Sequence, residues 1–169
     1  MQHIFFATEK NNMTNQADKI FHYTDSIHYE LEQTAKLMRK LTLQLFEKLN
    51  IEISLDECAA LDTISCHENI CQRDLAKLII KDRANTGRIL NSLEEKGFIN
   101  RVLDMKNNRL VKKLQITSKG RAFLAEIVNK IKSHMDNVAP AISKEEILKV
   151  KNKLQSFRLN LENVVEMKI

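Results

Sequence analysis

Apolar residues recur at helical spacing over most of this chain and switch to strand-like runs in one short stretch past its middle. Ile27, Leu31, Ala35, Met38, Leu41, Leu45 and Leu49 follow one another in steps of three or four, a continuous stripe on one long helix. Thr24 or Asp25 is the candidate cap at its start, which would leave Ala17 to Tyr23 as a separate short helix. Ser54-Leu55-Asp56-Glu57 has the spacing of a capping box and opens a second helix, with Leu55, Cys58, Ala59, Leu61 and Ile64 toward a core. His67 to Ile70 then connects to a short helix, Gln72 to Ile80, carrying Leu75, Ala76, Leu78 and Ile79. Lys81-Asp82 makes a turn. Asp82 can accept from the free N–H groups of the next helix, Arg83 to Lys96, which stops at Gly97, a residue suited to the left-handed position after a helix end. Phe98 to Leu103 and Leu110 to Ile116 read as two strands joined by Asp104 to Arg109, and Ile70 is a candidate one-residue strand beside them. Thr117 caps a helix through Phe123, Ile127, Ile131 and Met135 to about Val138, broken by Pro140. Ser143 to Glu146 is another capping box, and Ile147, Val150, Leu154, Phe157, Leu161 and Val164 form the stripe of a last helix.

The helix after Asp82 has two faces. Thr86, Ile89, Leu90 and Leu93 lie toward a core, while Arg83, Asn85, Arg88, Asn91 and Ser92 face outward. Arginine pairs bidentately with guanine edges and asparagine with adenine edges, so such a face suits the major groove; it equally describes a solvated helix. Charge separates the two. From Lys81 to Lys113 there are nine Lys or Arg and four Asp or Glu, a net of +5, which equals the formal charge of the whole chain. The positive excess therefore sits in one segment, as phosphate contact requires. Lys106 and Arg109 flank the hairpin tip, with Lys112 and Lys113 on the returning strand. Arg83, Asn85, Thr86, Arg88 and Ser92 are the candidate contacts of the helix, and Lys106, Arg109 and Lys112 those of the hairpin. Gly87 would let the helix approach DNA closely, or is simply a tolerated helix glycine.

Three stretches carry a resemblance to a known family: LAKLIIKDRANTGRILNSLEEKG at Leu75 to Gly97, FINRV after it, and LQITSKG at Leu114 to Gly120. They resemble the multiple-antibiotic-resistance regulator (MarR) family of winged-helix transcriptional regulators, the last being similar to its Leu-Thr-x-x-Gly helix entry with Ile116 in the leucine position. The order of elements extends the likeness from about Ile20 to Val165. One departure is the wing tip, where the family commonly has Asp-x-Arg or Asp-Arg-Arg and this chain has Asn108, Arg109 and Leu110. The resemblance implies a mainly α fold, a winged helix-turn-helix with a two-stranded wing flanked by N- and C-terminal dimerisation helices. It also implies a homodimeric DNA-binding regulator, more often a repressor than an activator, on a pseudo-palindromic operator. Relatives bind small aromatic or phenolic ligands where winged helix and dimerisation helices meet; His22, Tyr23, His28 and Tyr29 fall in that region, or are helix-surface or interface residues.

The chain has 169 residues with 43% hydrophobic content, enough for one sizeable core, and three Gly with a single Pro agree with a helical protein. The expected organisation is an arm at 1–16, disordered or packed on a partner subunit, dimerisation helices at 17–53 and 121–169, and the DNA-binding domain at 54–120. The last stripe must bury itself against something, and a winged-helix core is complete without it. The expected partners are the N-terminal long helix of the same chain and the terminal helices of a second chain, with an intramolecular bundle on a monomeric winged helix as the alternative. Without an export signal or an apolar run of membrane-spanning length, the expected location is the cytoplasm. Cys58, Cys66 and Cys71 are an odd number, which argues against a disulfide framework; Cys66 and Cys71 are close enough in sequence to act as a redox pair, or are ordinary thiols. The reactive cysteine of the peroxide-sensing branch of the family has no counterpart between Ala17 and Leu49. Cys66-His67 with Cys71 lacks zinc-site spacing, no cofactor motif occurs, and no catalytic constellation stands at a diagnostic spacing. The competing function class is a helical protein-interaction module presenting its basic surface to an acidic partner, for which a cationic hairpin beside the helix is not required.

Overall fold

A computed structural model describes residues 22–106, 109–135 and 143–165, the side chains of residues 106, 109 and 133–135 excepted. The expected arm at 1–16, the short helix before Tyr23, the hairpin residues Asn107 and Asn108 and the break at Pro140 lie outside the described residues. The chain divides into two compact units, Met1–Asn50 and Ile51–Ile169.

In the first unit, a single 3-10 turn at Tyr23–Asp25 leads into helix α1, Ile27–Lys48. Its cap is Ser26 rather than Thr24 or Asp25. The Ser26 hydroxyl accepts the Tyr29 N–H at 3.2 Å and donates to the Tyr23 carbonyl at 2.6 Å, so one buried side chain closes the turn and starts the helix. Asn50 ends the helix in the left-handed region at φ 50°, its N–H on the Glu47 carbonyl. The stripe of α1 is buried at Leu45 but exposed at Ile27 and Met38.

The second unit is built from α2 (Leu55–Cys66), β1 (Ile70–Cys71), α3 (Gln72–Leu78), α4 (Arg83–Glu95), β2 (Ile99–Lys106), β3 (Arg109–Ile116), α5 (Ser118–Met135) and α6 (Lys144–Glu162). Both capping boxes form, at Ser54/Glu57 and Ser143/Glu146. The sheet is antiparallel in the order β1-β3-β2, with Ile70 opposite Leu114 and Ile99 opposite Ile116. β2 and β3 are longer than the sequence suggests. Lys106 pairs with Arg109, so Asp104, Met105 and Lys106 belong to the ladder rather than to a six-residue turn.

Helices α2, α3 and α4 and the root of the sheet share one core. Leu61, Leu75, Leu90, Leu93 and Ile99 are fully buried, each contributing about 1.5–3 kcal/mol by removal from water. On α2 the buried alanine is Ala60, not the expected Ala59, which is exposed. Phe98 stacks on Phe123 with ring centroids 4.4 Å apart, docking α5 on the sheet root. Gly120 is a steric necessity there, because a Cβ would stand 2.2 Å from the Phe98 carbonyl oxygen. Thr117 Oγ1 accepts the Gly120 N–H at 3.0 Å as the helix cap and donates to the Gly97 carbonyl at 2.8 Å. By contrast, α6 has no buried residue.

Candidate nucleic-acid interface

The turn between α3 and α4 is set by backbone chemistry. Past α3 the Ile80 N–H bonds the Lys77 carbonyl and the Lys81 N–H the Ala76 carbonyl, a Schellman closure that requires a left-handed residue. That residue is Ile80, at φ 53°, an uncommon and strained choice for a β-branched side chain. Past α4 the same closure recurs, Gly97 N–H to Glu94 and Phe98 N–H to Leu93, with Gly97 at φ 73°. Asp82 caps α4 as its sequence position suggests, accepting the Asn85 N–H at 2.7 Å. Backbone hydrogen bonding from Asn85 holds the Asp82 carboxyl below its usual range, and the positive Arg88 assists.

The five helix candidates separate on folding. Arg83, Asn85 and Arg88 are exposed. Asn85 also donates its side-chain amide to Asp82, which restrains it at the start of the helix. Thr86 is completely buried and donates to the Asp82 carbonyl at 2.8 Å, so it belongs to the core and not to the outward face. Ser92 is half-buried and gives its hydroxyl to Glu57 of α2, so it too turns inward. Ser92 departs from its outward placement because a short hydroxyl at the edge of a helix's apolar face finds its acceptor inside the molecule, while Thr86 keeps the core-facing placement that its spacing gave. Gly87 faces Gln72 of α3, whose amide nitrogen would be 3.5 Å from an added Cβ, so among the described residues the glycine serves no tight contact.

In the wing, Lys112 is exposed and Lys113 half-buried. The backbones of Lys106 and Arg109 form the last pair of the ladder; their side chains lie outside the described ones. One contributor escaped the sequence reading. Arg101 on β2 reaches Glu94 at 2.6 Å and Asn91 at 2.8 Å, tying the base of the wing to α4 through two nitrogens of one guanidinium. The alternation of β2 contained the signal. Arg101 is two residues from the buried Ile99 and opposite the buried Leu114, a core-facing register where a cation needs partners.

The remaining candidates are dispersed. The ring of Tyr23 lies 5.7 Å from that of His28 and 5.6 Å from that of Tyr29, and its hydroxyl donates to Glu32 at 3.1 Å, while His22 is exposed. These groups form a surface aromatic cluster at the start of α1. Two cavities of about 230 and 450 Å³ in the second unit share Ser65 and Arg121, and the four aromatic candidates line neither. Cys58, Cys66 and Cys71 are free thiols; Cys66 is exposed and Cys71 donates to Asp74 at 3.1 Å. Burial pushes the Cys58 thiol up, and Asp62 adds to it. Among the described residues no group of His, Cys, Asp and Glu could hold a metal ion, and no helix is long and apolar enough to cross a membrane.

This architecture has known counterparts. Residues 53–111, from the start of α2 into the wing, match the sequence model of the MarR family. Among solved structures, the chain resembles S. aureus MepR in a complex with DNA at TM-score 0.65 and 20% identity, covering 83% of this chain and 99% of that one. Bordetella bronchiseptica BpsR, described for regulation of its DNA binding by 6-hydroxynicotinic acid, matches at TM-score 0.70 and 14% identity over 82% and 97% of the two chains. The transcriptional regulator SlyA matches at TM-score 0.67 and 26% identity over 81% and 94%. The helix-turn-helix, the braced wing and the family match fall on the same residues, and the fold is that of the MarR-family transcriptional regulators.

Proposed function

We propose that this protein is a homodimeric, sequence-specific DNA-binding repressor that works in the cytoplasm and releases its operator in response to a small molecule or to oxidation. The observation that carries the DNA-binding part is the exposed Arg88 on a helix braced to a cationic wing by Arg101. Arg88, with Arg83 and Asn85 near the helix start, reads base edges or adjacent phosphates in the major groove. Lys112, with Lys106 and Arg109, meets the backbone or minor groove. MepR, similar in fold, is seen with DNA.

The dimer is supported by apolar surface that stays exposed among the described residues. Ile147, Val150 and Leu154 on α6 are 46%, 56% and 43% exposed, and a stripe of that length is stable in water when another helix covers it. Two-fold symmetry places two recognition helices on half-sites about one turn of DNA apart, hence a pseudo-palindromic operator. For the effector, BpsR offers the precedent of a small aromatic acid. The aromatic cluster of Tyr23, His28 and Tyr29, with His22 beside it, is the proposed aromatic contact, and the exposed Cys66 with Cys71 is the proposed oxidation site. The test is a salt-dependent titration against the DNA upstream of the protein's own gene, with random duplex as control and with peroxide or dithiothreitol in parallel. Selective binding with a steep salt slope is expected. Equal affinity for both duplexes would exclude sequence-specific regulation.

A further inference from the structure

Among the described residues Glu57 is the one charged side chain that is buried, at 7% exposure. A carboxylate is stable there only when its oxygens find donors. Oε2 accepts the Ser54 N–H at 2.6 Å, which completes the cap of α2. Oε1 makes contacts that the cap does not need: it accepts the hydroxyl of Ser92 and the ammonium of Lys96, the latter at 2.7 Å, both from the C-terminal part of α4. The adjacent Asp56 takes the ammonium of Lys81 at 2.8 Å, in the turn before α4. Two consecutive carboxylates on the first turn of α2 thus hold the recognition helix near both ends.

Directionality is what these contacts add. Leu90 and Leu93 attach α4 to the core through apolar contact, which is nearly indifferent to small rotations of a helix about its axis. Hydrogen bonds weaken steeply with misalignment, so a carboxylate shared by Ser92 and Lys96 defines that rotation. A base reader needs such definition, because advancing one residue turns a helical side chain by about 100° and bidentate pairing with a base edge tolerates far less. We propose that Glu57 is a positioning residue for sequence recognition: through Ser92 and Lys96 it sets the rotation of α4, and so the direction in which Arg88 meets the bases. The inference rests on the DNA-binding reading above.

The experiment compares Glu57→Gln, Ser92→Ala and Ser54→Ala, each as the full chain, at a temperature where thermal unfolding shows all three folded. The readout is the ratio of affinities for the duplex upstream of the protein's own gene and for a random duplex of equal length. Ser54→Ala weakens the cap of α2 but leaves the grip on α4, so it is expected to lower the unfolding temperature with the ratio kept. Glu57→Gln and Ser92→Ala are expected to lower the ratio roughly tenfold, with random-duplex affinity little changed. Ser92→Thr, which keeps the hydroxyl, is expected to restore it. A selective wild type with unchanged ratios in Glu57→Gln and Ser92→Ala would overturn the positioning role alone, as would an equal loss in Ser54→Ala. A wild type that does not distinguish the duplexes would overturn the DNA-binding reading and this inference with it.

Discussion

Helices α4 and α6 carry similar apolar patterns and end in opposite situations. On α4, Leu90 and Leu93 are fully buried against other elements of the same unit; on α6, Ile147, Val150 and Leu154 stay largely exposed. The helices also start alike, with capping side chains at Asp82 and at Ser143. What differs is the supply of surface to pack against. The winged-helix core is complete without α6, so the pattern on α4 specifies the fold of one chain, while that on α6 describes a surface still to be covered. Periodicity shows that a stripe must be buried, and is silent about which chain buries it.

Substitutions should separate these two kinds of stripe. The largest effect is expected from Leu90→Ala, a cavity in a closed core, at about 2–5 kcal/mol of stability read from urea unfolding. Leu154→Asp should instead shift sedimentation equilibrium toward the monomer while keeping helical circular dichroism. If it unfolded the chain without any monomeric folded species, α6 would be part of the single-chain core and the contrast would fail.

A second prediction concerns Glu57, at the joint between α2 and α4. Burial pushes its carboxyl up, but Lys96, Ser92 and Ser54 outweigh this and lower it from 4.5 to about 2. With the folded value below the ordinary one, the stabilisation is complete above about pH 5 and is lost as pH falls toward 2. Acid titration of stability should show a component on the order of 2–3 kcal/mol in that window, absent from Glu57→Gln. A Gln variant with an unchanged acid limb would assign the loss to other carboxylates.

Smaller effects sharpen the picture of α4 itself. Arg88→Ala is expected to weaken operator binding by about 1–3 kcal/mol with little change on random DNA, whereas Lys112→Ala weakens both and flattens the salt dependence. Equal behaviour of the two variants would remove the division between reading helix and wing. The smallest change expected is a gain: Ile80→Gly relieves a left-handed isoleucine that is 59% exposed and buries little, for roughly 0.5–1 kcal/mol in thermal or urea unfolding.

Much of this molecule was legible in one dimension because its local signals are strong. The capping boxes at Ser54 and Ser143, the Asp82 cap and the Gly97 stop each depend on a backbone group and a side chain at most a few residues apart, and all formed as read. The true cap of α1, Ser26, was displaced by one residue from Asp25 because several short polar residues compete there and the hydroxyl is chosen by the preceding turn. The hairpin ladder ran further than expected because Asp104 and Lys106, poor strand formers, are carried by pairing with β3.

The amino-acid order therefore determined the sequence of elements, the caps of α2, α4 and α6, and where positive charge gathers, since capping and periodicity act over one or two turns. Tertiary structure alone decided that Ser92 turns inward. By spacing it stands with Arg83 and Asn85 on the outward face of α4, yet its hydroxyl joins Glu57, 35 residues away. Arg101 likewise found Glu94 and Asn91 only once β2 lay beside α4. A hydroxyl or guanidinium goes to whichever acceptor the packed core brings within about 3 Å, and that distance does not exist until the chain has folded.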